Sequence, residues 1–219
     1  NLGTITAGAG NALAVSITGG NGVISNYGDI SGGMLTDAGD DYVRNYEGGR
    51  IFLSDDTIDL GGGYNYFLNE GRLYADGVNN VIDMGYYGGG EGGYYYGLFV
   101  NDGSSIHMND GAADDALTII GDFTGTGDVN VDVDGASLTS DMLYIEGDVL
   151  AGTANVINVD LLSLPSAADV KAGETIAIVE VSGGSTAADF ELGTVFLVNN
   201  SLFTADYSFI NGDLAAIYG

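Results

Sequence analysis

The groups able to do acid–base, nucleophilic or metal chemistry in this chain are few in kind and one-sided in charge. Thirty-one Asp and Glu face four cations, Arg44, Arg50, Arg72 and Lys171, with a single histidine, His107. The absence of cysteine removes thiol nucleophiles, zinc–thiolate sites and disulfides together. Polysaccharide elimination needs a strong base with cations beside the developing carbanion. Arg44, Arg50 and Arg72 instead stand in or beside turn sequences, where Asp41, Glu47 and Glu70 offer local ion pairs. Glycoside hydrolysis needs two carboxylates flanking one bond. Asp40–Asp41, Asp55–Asp56 and Asp114–Asp115 are adjacent in sequence, but adjacent strand residues face opposite sides, so adjacency does not make a dyad. His107 lies in SIHMND with no second histidine, and no Gly-Asp-Ser-Gly signature of a serine protease is present. It reads as a surface or edge histidine. No catalytic residue is expected, and the chain is read as a non-enzyme.

Acid- and glycine-rich β-rolls bind calcium through a tandem nonapeptide. The nearest text, GTGDVNVDVDG at Gly125–Gly135, has the composition without the nine-residue period. Solvated acidic turns are therefore expected, with no metal site and no cofactor. One segment does suggest recognition: GYYGGGEGGYYYGLF, from Gly85 to Phe99. Tyr86, Tyr87, Tyr94, Tyr95 and Tyr96 offer flat apolar faces with hydroxyls on a Gly-rich backbone, the composition of adaptable binding loops. They are the candidate ligand-binding residues. The alternative, that the rings pack on the side of the scaffold and cover it, stays open at this stage.

The scaffold that must position these groups is bounded by composition. With 219 residues and a formal charge of −27, the chain repels phosphate backbones and anionic lipid, which excludes nucleic-acid partners and membrane-surface binding. A hydrophobic content of 45% and a mean hydropathy of +0.18 are enough to fold rather than stay disordered. No run approaches the roughly 18 apolar residues of a membrane-spanning helix. Short alternating runs dominate, such as Leu13/Val15/Ile17, Val129/Val131/Val133 and Ile176/Ile178 followed by Val179/Val181, each read as a strand with one buried face. The single proline and 38 glycines punctuate them.

Internal repetition narrows the class. SNYGDI, RNYEGGRI, LNEGRL and VNDGSSI place an Asn, then Gly, then a branched apolar residue, with the asparagines at 26, 45, 69 and 101. Gly and Asn tolerate the positive φ of a sharp corner, the branched residue after it points inward, and the asparagines can form a ladder that satisfies turn carbonyls. A second repeat matches Asp115, Leu117, Ile119, Gly121 and Asp122 to Asp141, Leu143, Ile145, Gly147 and Asp148. The expected fold is all-β: a right-handed parallel β-helix with a C-terminal capping β-hairpin, preferred over independent hairpins in a sandwich. Residues 1–112 are expected to form irregular coils with an insertion at about 85–97, and 113–219 the regular coils and cap.

The runs DALTIIGDFTGTGDVNVDV, SDMLYIEGDVLAGTANVINVDLL and AGETIAIVEVSGGSTAADFELG, with the closing ADYSFINGDLAAIYG, resemble the C-terminal region of pertactin-like passenger domains of type V secretion autotransporters. The resemblance rests on Asp141, Leu143, Ile145 and Gly147, then Gly173, Ile176, Ile178, Val179 and Val181, then Gly183, Ser185, Phe190 and Leu192, and covers about half of the chain. Leu161–Asp169, with Pro165, departs from it. The resemblance implies a passenger fragment carried outside a Gram-negative cell, displayed on its outer membrane or secreted, with the second half acting as a folding nucleus and with membrane attachment only through a C-terminal β-barrel that this sequence lacks. It implies an adhesin or cell–cell interaction module whose partners are host or bacterial surface molecules, protein or glycan, or further copies of itself. A stalk presenting a more distal domain and a glycan-processing enzyme are the alternatives.

Overall fold

The computed structural model describes residues 1–8, 13–89, 93–152, 154–164, 175–186, 189–197, 206–210 and 213–217. The elements are strands, arranged as three sheets that the chain visits in rotation and one two-stranded hairpin, Tyr86–Gly89 with Gly93–Tyr96. The first face stacks Thr4–Thr6, Asp29–Ser31, Arg50–Ser54, Arg72–Asp76, Ser105–His107, Asp128–Asp134, Asn155–Ser163 and Phe190–Leu197. The second stacks Leu13–Ser16, Gly33–Leu35, Thr57–Asp59, Asn80–Asp83, Ala116–Ile120, Met142–Ile145 and Thr175–Val181. The third stacks Val23–Asn26, Tyr42–Asn45, Tyr66–Asn69, Leu98–Asn101 and Asp122–Gly125. Neighbours pair in parallel along every one of these stacks, which makes the molecule a parallel β-helix. The sheets run on across residues 112–113. At the C-terminal end Asp206–Ile210 and Asp213–Ile217 form an antiparallel hairpin whose second strand pairs with Thr175–Val181, capping the second face.

The register is that of the Asn-Gly-branched motif. Asn26, Asn45, Asn69 and Asn101 are paired in succession, and the branched residues Ile30, Ile51, Leu73 and Ile106 that follow them are fully buried in one inward column. Phe99, Phe123 and Phe190 stack inside the coil, and Phe67 meets Phe99 at a tilt of 50°. Burial of each such side chain contributes about 1.5–3 kcal/mol, and the helix holds together because each coil offers its inward column to the next.

The asparagines form the ladder. The Nδ2 of Asn1 donates to the Oδ1 of Asn26 at 2.9 Å, Asn26 to Asn45 at 2.9 Å, Asn45 to Asn69 at 2.8 Å and Asn69 to Asn101 at 3.1 Å. The ladder then crosses a coil with no asparagine at this corner. Gly125 is the register partner of Asn101, and Asn101 donates past it to Asn155 at 3.2 Å, while Asn155 donates to the Gly125 carbonyl at 3.1 Å. Glycine is required there. A Cβ on Gly125, which has φ +136°, would lie 2.0 Å from the Asn101 carbonyl, and one on Gly127 would lie 2.5 Å from the Asn101 amide nitrogen.

Two sequence expectations are corrected by the coil geometry. Among the described residues the local ion pairs expected of the arginines do not form: Arg44 pairs with Glu70 and Arg50 with Asp29, at 2.7 Å in each case, because the nearest partner of an outward side chain is on a neighbouring coil rather than nearby in sequence. Asp41 is buried and accepts the Gly22 N–H. The Leu13/Val15/Ile17 run does not bury a face as drawn: Leu13 is 46% exposed, since its strand ends its sheet and has a neighbour on one side only. Leu143 and Ile145, flanked by Ala116–Ile120 and Thr175–Val181, are buried. Amide exchange is therefore expected to be slower at Leu143–Ile145 than at Val15–Ile17, read by hydrogen-exchange mass spectrometry of the intact chain; equal protection would place the weakest coil elsewhere.

Candidate functional site

The outward positions of the first face carry the arrangement best suited to chemistry. Each inward branched residue is followed by an outward one, so Ile51, Leu73 and Ile106 place Phe52, Tyr74 and His107 in one exterior column. Their rings stack, Phe52 on Tyr74 at 4.8 Å and Tyr74 on His107 at 4.9 Å between centroids. The column continues in amides: Asn130 follows His107, and Asn158 donates to the Asn130 Oδ1 at 3.3 Å. The column is present in the sequence motif as RIF, RLY and SIH, one residue past the branched position, on the side that the Asn-Gly corner pattern does not report.

His107 is held from both ends. The amide of Asn109 donates from Nδ2 to Asp160 at 2.9 Å, which turns its Oδ1 toward the His107 Nδ1 at 3.3 Å, while the Ser105 hydroxyl lies 2.8 Å from Nε2. This network assigns the proton to Nδ1, with Ser105 donating to Nε2. Burial lowers the His107 pKa and the Asn109 contact opposes it, with Arg72 lowering it further, so the ring is neutral near pH 7. The Ser105–His107 contact has the separation of a nucleophile–base pair, but a base with a depressed pKa is weak, and the network's visible effect is to hold the ring flat against Tyr74.

Beside the column lies a groove of about 390 Å³ whose walls include Phe52, Tyr74, His107, Met108, Asp76 and Asp115. Two more grooves continue along the same face. One, about 560 Å³, lies among Arg50, Glu70, Arg72, Ser105 and Asp128; the other, about 490 Å³, among Asn109, Asn130, Asn158, Asp160 and Phe196. At the edge of the first groove, where the first face turns toward the second, one carboxylate oxygen from each of Asp76, Asp110 and Asp115 lies within 4.8 Å of the others. Burial pushes Asp115 up to about 6 despite the Gly77 N–H it accepts, with Asp110 and Asp76 raising it further. Deeper still, Asp141 accepts the N–H groups of Asp115 and Asp132 and is pushed by burial up to about 8.

The tyrosine segment forms a separate feature. Tyr86–Gly89 and Gly93–Tyr96 pair as an antiparallel hairpin between the second and third faces, with Tyr86 opposite Tyr96 and Tyr87 opposite Tyr95. Tyr86 and Tyr95 are 60% exposed and Tyr96 is 38% exposed, whereas the side chains of Tyr87 and Tyr94 lie outside the described residues. Tyr95 and Tyr96 border a groove of about 400 Å³ with Asp122, Glu146 and Asp148. The structure thus keeps the candidate tyrosines together but apart from the aromatic column of the first face. No protein family, curated protein or solved structure matches the chain.

Proposed function

We propose that this chain is a surface-displayed recognition module, of the autotransporter-passenger kind, which binds an extended neutral glycan along its first face. The observation that supports the reading is the continuous exterior column Phe52–Tyr74–His107–Asn130–Asn158 with grooves on its flanks. The stacked rings of Phe52, Tyr74 and His107 supply an apolar strip along this face. The amides and carboxylates beyond supply donors and acceptors in register with the coils. A polysaccharide chain presents apolar C–H surface and a rim of hydroxyls in the same alternation, and sites of this kind combine apolar lining with few oriented polar groups. The charge of −27 selects against sulfated and uronic-acid polymers.

A glycan array followed by calorimetry on the best ligand tests this. Neutral or amino-sugar polymers are expected to bind, and Tyr74→Ala or Asn158→Ala to weaken binding tenfold or more with little change in melting temperature. Replacing Tyr86, Tyr95 and Tyr96 by Ser should leave glycan affinity unchanged. Binding that survives Tyr74→Ala and is lost with the tyrosines moves the site to the hairpin. Release of reducing ends would replace binding with hydrolysis. Asp115, the groove carboxyl with the raised pKa, argues against that outcome, because it is 3% exposed with one oxygen tied to Gly77. No binding to any surface molecule would leave the stalk reading.

A further inference from the structure

We propose that Asp76, Asp110 and Asp115 form a binding site for a divalent cation, with Ca²⁺ preferred, at the turn between the first and second faces. The three come from two neighbouring coils. Asp76 ends the strand Arg72–Asp76, Asp110 lies in the turn after Ser105–His107, and Asp115 immediately precedes Ala116–Ile120. Their nearest oxygens lie within 4.8 Å of one another, a span that a Ca²⁺ shell with oxygens at about 2.3–2.6 Å bridges with little movement, whereas Mg²⁺ at about 2.0–2.1 Å demands a tighter cage.

Asp115 sets this turn apart from an ordinary exposed acidic turn. Its side chain is 3% exposed, its Oδ1 accepts the Gly77 N–H at 2.7 Å, and its Oδ2 is buried with no hydrogen-bond partner while the residue lines the groove. A buried carboxylate oxygen without a donor is costly unless a proton or a cation sits on it. The two ion pairs among the described residues, Arg44–Glu70 and Arg50–Asp29, do not involve the cluster. Asp110 accepts the Ala112 N–H at 2.9 Å through Oδ1, which fixes the turn that presents it. Asp76 and Asp110 are exposed, so an ion can enter from solvent and keep water on its outer side. Nothing in this inference depends on glycan binding.

Calorimetric titration of the intact chain with CaCl₂, after chelator treatment and dialysis, tests it, with melting temperature read in parallel. One saturable ion per chain is expected, with a rise in melting temperature larger than that from equimolar MgCl₂. Asp110→Asn and Asp76→Asn, both at exposed positions, should weaken Ca²⁺ binding at least tenfold, and Asp115→Asn should abolish it. Glu47→Gln, an exposed charge-matched control on another turn, should change nothing. Absence of a saturable site, equal effects of Ca²⁺ and Mg²⁺, or an affinity unmoved by Asp76→Asn and Asp110→Asn would each overturn the proposal in favour of general screening of the acidic surface. Should Asp115→Asn fail to fold, the other two variants decide.

Discussion

Asn45→Ala is expected to destabilise the protein by about 3–5 kcal/mol, a large effect for a side chain that touches no ligand. The amide is fully buried. Its Nδ2 donates to the Asn69 Oδ1 and to the Arg72 carbonyl, and its Oδ1 accepts from Asn26. Truncation leaves the partners on both neighbouring coils without a counterpart, and each unsatisfied buried group costs about 1–3 kcal/mol. Asn45→Asp should be at least as damaging, because it removes the donor and adds a charge with no cation beside it. Urea denaturation of both variants, with exposed Asn79→Ala as the reference, measures this. A loss for Asn45→Ala below 1 kcal/mol would mean that water replaces the amide and that the ladder follows from the coil rather than holding it.

Stability measured in the presence of chelator is expected to rise as pH falls from 8 toward 4. Burial raises the folded-state pKa of Asp141 from 3.8 to about 8. A group with a raised folded pKa contributes stability that is complete below its unfolded pKa, near 3.9, and is lost as pH rises through the folded value. The window for Asp141 is thus pH 4 to 8. Burial raises Asp122 and Asp132 in the same direction, and protonation also relieves repulsion among the 31 acids. Asp134, lowered by its Ser163 and Ser137 hydrogen bonds, opposes the trend from the end of its strand. Denaturation midpoints between pH 4 and 8 test the sign. Asp141→Asn should flatten the slope even where it lowers the plateau, since the amide cannot accept both the Asp115 and Asp132 N–H groups equally. A profile that climbs with pH would mean that Asp141 is ionised in the folded protein.

How much of this was legible in the sequence follows from which side of the coil a residue faces. The corners could be read because Asn and Gly at a turn, with a branched residue behind, answer to a local backbone demand, and the pairing of Asn26, Asn45, Asn69 and Asn101 follows from aligning them. Asn155 was invisible to that reading because Gly125 stands in the intervening coil, and only the stacked structure shows the amide reaching across a residue with no side chain. The column Phe52–Tyr74–His107 was present in the aligned motif, but outward positions vary in chemistry from coil to coil and give no periodic signal of their own. Asp76, Asp110 and Asp115 meet only because a turn of one coil lies over the strand end of the coil before it, a relation that no spacing within the chain encodes.

The amide ladder has a consequence for what can be built on this protein. Its rungs are separated by 25, 19, 24, 32 and 54 residues, yet all join one line. Register is therefore counted in coils, and the length of chain between rungs is free to change wherever it leaves and rejoins the same point. Gly85 and Gly97 mark such a place, because the Gly97 N–H donates to the Gly85 carbonyl at 3.2 Å and closes the neck of the tyrosine hairpin. A foreign peptide spliced between them would be held at a fixed height on a rigid rod, making the molecule a natural scaffold for antigen or enzyme display.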